Sequence, residues 1–368
     1  MNIVEVIPSM GIGGAEIVTS NIAMDQQARG RRVTIASGPG FRISPLIAAG
    51  IEHVPVRLNS RRPDDLLRAA ASLRRHIQTD RPSIIHAHNV KATAVASFAS
   101  RGRTPIVTTL HGVPPNSMRL TARLLTRYSD AIVAVSPHVA EQLTWSGVDR
   151  RRIHVIENSI DTPPCMPRHE ARNELGLTAD TSVAVCVARM VDQKRHDLLI
   201  DAWHRLPGSP VLLLAGDGPN RPGLERRSRN GKARDRICFL GERTDIPRLM
   251  SAADIMVLPT DWEGLPISLL EALSLGLPTI VSQVGGVIET LGDAVYLVPA
   301  GSSAALGSAI EDLLSDSQAR HRLSAAGHKL IKERFGRHRM LDSYDTLLRS
   351  VASANSRNHP VGILERPQ

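Results

Sequence analysis

The chain predicts an α/β fold built from two doubly wound, Rossmann-like domains, and three observations carry that expectation. Short apolar runs of strand length alternate with segments of helical periodicity, the alternation stops at Asp161-Thr162-Pro163-Pro164-Cys165-Met166-Pro167, and beyond those prolines it begins again. At 368 residues the chain is long enough for two domains, each burying a core of its own. The expected division is a first domain over residues 1–162, a second over 168–335, and a tail over 351–368.

Ile3 to Ile7 reads as the opening strand. The N-terminus lacks a basic region and carries an acid, Glu5, inside its short apolar stretch, which argues for a strand and against a secretion signal. A helix follows from about Ala15 to Ala28, then a strand from Arg32 to Ala36 and a helix across Pro63 to Thr79. The first half continues with the strand Ile84-Ile85-His86, a helix over Lys91 to Ser100, and strands at Ile106 to Thr109 and Ala131 to Val135. After the prolines, Val183 to Val187, Val211 to Leu214, Ile237 to Leu240, Ile255 to Leu258 and Thr279 to Val281 read as buried strands of a mostly parallel sheet. A helix from about Ala304 to Leu314 and a long helical pattern from Gln318 to Leu348 close the fold. Residues after Ser350 are polar and broken by Pro360 and Pro367, so a frayed end is expected.

The formal charge of +9 is unevenly distributed: residues 1–165 hold 20 Lys and Arg against 12 Asp and Glu, and residues 166–368 hold 25 against 24. The basic excess therefore belongs to the first half and points to an anionic partner there, nucleic acid or an anionic membrane surface. Phe41, Phe98 and Tyr128 are its only aromatics before Trp145, and none lies in a nucleic-acid-binding motif, so membrane is the expected partner and nucleic acid is not. Arg119, Arg123 and Arg127 recur every four residues beside Leu120, Leu124, Leu125 and Tyr128, a pattern that fits a helix on a membrane surface or a solvated basic helix. Cys165, Cys186 and Cys238 show no paired spacing, which excludes a disulfide framework or a zinc knuckle and suits a reducing compartment. No apolar run approaches the ~20 residues of a membrane span, and a cytoplasmic protein, peripheral on the inner face of the plasma membrane, is expected.

The segment Asp261 to Glu271 concentrates the chemistry. Glu263 falls in the loop after the strand Ile255 to Leu258, Gly264 and Leu265 offer backbone N–H groups at the start of a helix, and Glu271 lies about 7–8 Å along that helix. An acid near a helix N-terminus is favoured by the dipole alone. Two of them flanking an anion cradle instead suit a ligand with hydroxyls on both sides of a diphosphate, as in a nucleotide sugar. Arg189 and Lys194 follow the first strand of the second half, where a forked cation and a point charge are placed to hold two phosphates. Gly11-Ile12-Gly13-Gly14-Ala15-Glu16 opens the first helix but fails as a dinucleotide fingerprint, because Glu16 stands where the third glycine belongs. His111 ends the strand from Ile106, where open sheets bind ligands, whereas His86 and His88 read as packed residues.

The run from Asp254 to Glu289 resembles the donor-binding signature of the family 4 retaining glycosyltransferases, which have the two-domain GT-B fold. Arg189 and Lys194, Gly216-Asp217-Gly218-Pro219, Phe239 to Arg243, Gly13-Gly14-Ala15-Glu16 and Asn158-Ser159-Ile160-Asp161 match further segments of that pattern. Ala188, Arg195 and Ser159 stand where the family often has glycine.

The resemblance implies two Rossmann-like domains facing a cleft, with a last helix, at about 336–350, returning to the first domain. It also implies transfer of a sugar from a nucleotide diphosphate donor, expected to be a UDP-sugar, to a hydroxyl of a glycan or polyprenyl-linked glycan in polysaccharide assembly. Arg189 and Lys194 then grip the diphosphate, Glu263 orients the sugar, Glu271 holds the ribose, Gly13 and Gly14 border the phosphates, and His111 lies by the reacting sugar. Neither cofactor nor metal is expected. A nucleotide-sugar epimerase or a non-catalytic assembly component are the alternatives.

Overall fold

The computed structural model describes residues 1–60 and 62–358, and the chain divides into two compact units. The first comprises Met1–Val135, Val139–Ile156 and the chain from His338 onward, and the second comprises Ser136–His138 and Glu157–Arg337.

The first unit runs β1 (Asn2–Val6), α1 (Gly14–Ala28), β2 (Arg32–Ser37), α2 (Ile43–Ala48), β3 (Glu52–Pro55), α3 (Pro63–Asp80), β4 (Ile84–Ala87), α4 (Val90–Ser100), β5 (Ile106–Leu110), α5 (Met118–Tyr128), β6 (Ala131–Ala134), α6 (Pro137–Trp145) and β7 (Ile153–Val155). Its seven strands form one parallel sheet in the order β3-β2-β1-β4-β5-β6-β7. The second unit runs α7 (Arg168–Glu174), β8 (Val183–Val187), α8 (His196–Trp203), β9 (Val211–Ala215), α9 (Arg221–Arg229), β10 (Ile237–Gly241), α10 (Ile246–Ala252), β11 (Ile255–Leu258), α11 (Ile267–Ser274), β12 (Thr279–Ser282), α12 (Gly285–Leu291), β13 (Tyr296–Val298), α13 (Ser303–Ser315) and α14 (Ser317–Arg334). Its six strands are again parallel, in the order β10-β9-β8-β11-β12-β13.

The central strands are buried on both faces, so they are continuous apolar runs that periodicity alone detects. The sheet edges are different. β3 and β7 are four and three residues long, partly exposed and mixed in polarity, so no unbroken apolar run marks them, whereas β13 lies in the apolar run Val295-Tyr296-Leu297-Val298 that the strand reading passed over. Strand order reverses between β1 and β4 in the first unit and between β8 and β11 in the second. At such a reversal the connections leave in opposite directions, and ligands settle beyond the carboxyl ends of the strands there.

The helical pattern from Gln318 to Leu348 is two helices, because the chain breaks at Phe335 and Gly336. The Phe335 ring is buried, its carbonyl accepts a hydrogen bond from the Ile160 amide at 3.4 Å, and Gly336 bridges Ile160. After the break α15 (Arg337–Asn358) belongs, from its second residue, to the first unit, and it continues eight residues past Ser350, so the start of the expected tail is helical. Residues 359–368 of that tail lie outside the described residues.

Met340, Leu341, Tyr344, Leu347 and Leu348 are the buried face of α15. The Tyr344 hydroxyl lies 3.1 Å from Thr109 Oγ1 on β5. Asp345 is nearly buried and paired with Arg31, with Arg29 at 3.6 Å and Gln26 Nε2 at 3.5 Å. Removing one member of such a pair leaves the other desolvated and uncompensated. Asp345→Ala should therefore lower the stability of the first unit by about 3 kcal/mol, against about 1 kcal/mol for Tyr344→Phe, which keeps the ring and loses one hydrogen bond. Urea unfolding of the full chain measures both, and equal small losses would mean that the apolar face alone holds the helix.

Candidate functional site

In the second unit the residues that matter sit on loops leaving β8 and β11, the strands at the reversal. After β8 the chain passes through Ala188 and Arg189 to a short turn, Asp192–Lys194, before α8 begins. After β11 it passes through Pro259 to Pro266, and α11 starts at Ile267. The two loops are joined directly: Lys194 Nζ pairs with Glu263 Oε1, and both side chains are largely buried. Thr260 Oγ1 donates to the same carboxylate oxygen at 2.8 Å, Gln193 Nε2 donates to the Trp262 carbonyl at 2.6 Å, and the Asp261 amide donates to the Gln193 carbonyl at 2.9 Å. Breaking a charge pair shielded from water is costly, because it leaves each partner desolvated and uncompensated.

Arg189 is different. It is exposed, and its guanidinium has no hydrogen-bond or ion-pair partner among the described residues. The amides of Gly264 and Leu265, in the loop just ahead of α11 rather than in its first turn as the sequence suggested, also donate to no acceptor among the described residues, although both residues are buried. The Leu265 carbonyl accepts from Asn158 Nδ2 at 2.8 Å. Glu271 is the fifth residue of α11 and is half-buried.

Glycines let these loops approach one another. A Cβ on Gly286, at the start of α12, would overlap the carbonyl oxygen of Gly264 and press on that of Glu263. Gly216 and Gly218 flank Asp217 in the left-handed half of backbone space, and side chains there would overlap the carbonyls of Ala188 and Met190, on either side of Arg189. Gly216-Asp217-Gly218 is thus the rest on which the Arg189 loop lies, and the Met190 amide donates to the Asp217 carbonyl at 2.8 Å. Arg195, standing where the resembled family often has glycine, takes φ of 40°, and its guanidinium holds Asp197 and Asp261, each at 3.1 Å. Those ion pairs compensate a backbone conformation that side chains disfavour.

In the first unit Gly13 is the N-cap of α1 and Gly14 its first residue. The Glu16 carboxylate folds back over Gly13, where a Cβ would collide with it, and accepts from Ser9 Oγ at 3.3 Å. Arg42 Nε braces the same loop through the Gly11 carbonyl at 3.0 Å. His111, just after β5, is half-buried, and its Nε2 lies 3.3 Å from His88 Nδ1. His88 and His86 are buried and converge on Glu5 of β1: Glu5 Oε2 is 2.7 Å from His88 Nε2 and 2.9 Å from His86 Nδ1. Burial alone would raise the Glu5 pKa, but the two histidines hold it at about 2. Burial and the neighbouring His86 push His88 down to about 4 against the pull of Glu5, and burial pushes His111 well below the usual histidine range.

Among the described residues Glu5, His86 and His88 form the one group whose donor atoms lie close enough for a metal ion. Their spacing of 2.7 and 2.9 Å is that of hydrogen bonds, and ligands about 2.0–2.2 Å from a zinc ion would stand farther apart. Glu5 escaped the sequence-based site assignment. The signal was its place between Val4 and Val6 in a central strand, where an acid is out of keeping with a buried run.

Arg119, Arg123 and Arg127 are all exposed on α5, whose buried residues are Met118, Thr121, Ala122 and Leu125. Leu125 thus belongs to the core and not to an outer apolar face. Leu120 remains, 62% exposed, with Leu124 and Tyr128 half-buried. No helix among the described residues is long and apolar enough to cross a membrane.

Comparison with known proteins covers most of the chain. Residues 12–163 match the family model described as Glycosyltransferase Family 4, and residues 167–330 match the one described as Glycosyl transferases group 1. The N-acetyl-alpha-D-glucosaminyl L-malate synthase of Bacillus anthracis is 24% identical over 361 residues, spanning 92% of this chain and 94% of the relative. The UDP-Gal:alpha-D-GlcNAc-diphosphoundecaprenol alpha-1,3-galactosyltransferase of Escherichia coli is 28% identical over 242 residues, 60% of this chain and 62% of the relative. Among solved structures, Anabaena Alr3699/HepE in complex with UDP-glucose superimposes with a TM-score of 0.84 at 23% identity, covering 95% of this chain and 100% of the other, a likeness of fold.

The contact at Gly286 makes the shape of the Glu263 loop testable without any ligand. Gly286→Ala forces backbone against backbone and should cost about 2 kcal/mol, the usual scale of overpacking. Gly223→Ala, in a helix with room for the methyl group, should be neutral or stabilising by up to about 1 kcal/mol. Denaturant unfolding compares the two, and equal stability of both variants would show that the loop yields freely.

Proposed function

Because the chain belongs to the family 4, group 1 glycosyltransferases, and is a glycosyltransferase of GT-B fold, we propose that it transfers a sugar, with retention of configuration, from a UDP-sugar to a hydroxyl of a lipid-linked glycan. The observation that carries this reading is the arrangement beyond β8 and β11: an exposed, unpartnered Arg189, the Lys194–Glu263 pair, and the free amides of Gly264 and Leu265. Three kinds of positive potential surround one acceptor-rich loop, the chemistry that suits a diphosphate bearing a sugar.

In this reading Arg189 and Lys194 stabilise the charge that grows on the diphosphate as the sugar bond breaks, and the loop amides of Gly264 and Leu265, just before α11, add oriented dipoles. Glu263 orients the sugar hydroxyls, and Glu271 holds the ribose. The family resemblance assigns Gly13 and Gly14 to the phosphate-binding set and His111 to the sugar as an uncharged hydrogen-bonding group. Two protein cations meet the phosphate charge, so turnover needs no metal ion.

The choice of UDP and of a lipid-linked acceptor is supported by relatives rather than by side chains here. One relative is by name a transferase from UDP-Gal to GlcNAc-diphosphoundecaprenol, and a protein of like fold was solved with UDP-glucose. Incubation with a panel of nucleotide sugars tests the donor class, since the right one stabilises the fold by mass action. Transfer should fall at least about 100-fold in Lys194→Ala, and the double variant Arg189→Ala, Lys194→Ala should be inactive while folded. Near-normal turnover in that double variant would end the assignment.

The lipid-linked acceptor also places the enzyme on the cytoplasmic face of a membrane, and α5 is the proposed contact. Arg119, Arg123 and Arg127 with the exposed Leu120 offer charge and an apolar residue on one surface, and Phe98 of α4 is likewise exposed. Each arginine near an anionic surface contributes about 1 kcal/mol. Replacing all three with glutamate should abolish most binding to phosphatidylserine-containing vesicles at physiological salt. Undiminished sedimentation with the vesicles would exclude α5 as the contact.

A further inference from the structure

The first unit holds a chain of groups that runs from Glu5 on β1 through His88 after β4, neither of them used by the transfer reading, to His111 after β5. We propose that Glu5 and His88 are positioning residues that fix His111 in one neutral tautomer, protonated on Nε2, with Nδ1 left as the hydrogen-bond acceptor. The inference rests on the reading that assigns His111 to the transfer machinery.

The order of donors follows from the chemistry of each group. An ionised carboxylate only accepts, so the atom 2.7 Å from Glu5 Oε2, His88 Nε2, must carry a proton. A neutral imidazole that donates from one nitrogen has its lone pair on the other. His88 Nδ1 is therefore an acceptor, and the group within reach of it is His111 Nε2 at 3.3 Å, which must donate. The two rings are inclined by only 17°, with centroids 5.6 Å apart, so the contact runs edge to edge along the ring planes. What remains on His111 is the lone pair on Nδ1.

Other neighbours lock the start of the chain. His86 is the register partner of Glu5 across β1 and β4, its Nδ1 lies 2.9 Å from the same Oε2, and its Nε2 lies 2.8 Å from Thr109 Oγ1. Thr109 is in turn 3.1 Å from the Tyr344 hydroxyl. Glu5 Oε1 is buried with no hydrogen-bond partner among the described residues, so the bonding of the carboxylate is concentrated on Oε2. Burial keeps His88 and His111 neutral near pH 7, as the donor order requires.

A merely structural cluster would leave His111 free to exchange tautomers, whereas the positioning chain does not. The test uses the full chain labelled with 15N-histidine, with the His111 signals identified by their loss in His111→Asn. At neutral pH the long-range proton–nitrogen spectrum of the wild type should show His111 protonated on Nε2 and bare on Nδ1. His88→Asn, whose amide oxygen replaces the Nδ1 acceptor, should keep that pattern, and His88→Leu should release a mixture of tautomers. In a transfer assay His88→Leu should lower kcat about tenfold or more with the donor KM unchanged, and His88→Asn should recover most of it.

A wild-type His111 protonated on Nδ1, or already mixed, would overturn the proposal, and this measurement stands even where His88→Leu does not fold. A fixed tautomer in a protein that transfers no sugar supports the positioning chain and rejects the reading of function. Sugar transfer with a mobile tautomer does the reverse.

Discussion

A parallel sheet whose strand order reverses leaves one gap that no crossing connection covers, and in each unit of this protein a carboxylate spans that gap. Between β8 and β11 it is Glu263, held by Lys194 from the other loop; between β1 and β4 it is Glu5, held by His88 and His86. The remaining features of each site follow from these contacts. In the second unit Gln193 and Thr260 are tied in because their loops are, and Gly286 must be bare because the Glu263 loop is drawn against it. In the first, Thr109 and Tyr344 are drawn in through His86, so α15 is joined to the cluster by hydrogen bonding as well as by its apolar face.

The two cations assigned to the diphosphate start from different states, and this follows from their surroundings. Lys194 begins paired with Glu263 and largely out of water, so its desolvation has already been met in folding. Arg189 begins exposed and unpartnered, and it must shed water and lose rotamer freedom when it closes on a phosphate. A phosphate that draws Lys194 towards itself leaves Glu263 with the Thr260 hydroxyl, which already donates to the same oxygen. The carboxylate is thereby freed to accept from a sugar hydroxyl without losing every protein partner. In the proposed mechanism, binding of donor and orientation of the sugar are coupled through that one oxygen atom.

Much of this was legible in the sequence, for identifiable reasons. The central strands of both sheets are unbroken apolar runs, and Arg189, Lys194, Glu263 and Gly264 lie at their ends, where a strand followed by a helix marks the ligand edge. The short edge strands β3 and β7 were hidden because an exposed edge has no need of apolar residues, whereas β13 was passed over although its run is apolar. The break at Phe335–Gly336 leaves no mark in the helical periodicity, and only the resemblance pointed to a last helix beginning there; its cause is a partner 175 residues earlier, the amide of Ile160. Helical periodicity assigned Leu125 to an apolar surface face, and only the packing of α5 shows that it belongs to the core. The role of Gly216 and Gly218 was half-visible: their turn could be read, but not the backbone of Ala188 and Met190 lying on it.

Glu5 shows why an acid in a strand is more informative than an acid in a loop. Its neighbours Val4 and Val6 are fully buried, and so is Glu5 itself, in an interior strand of the sheet. Moving a carboxylate from water to such a place costs several kcal/mol, and the hydrogen bond from His88 with the close approach of His86 offsets only part of it. An apolar group of similar volume would serve the fold as well or better, since well-packed replacements of buried charged clusters are often neutral or stabilising. The packing of the core thus gives no reason for a carboxylate at this position. The reason lies one hydrogen bond further along, in His88, and two further along, in the half-buried imidazole at the carboxyl end of β5, where an open sheet meets its ligand.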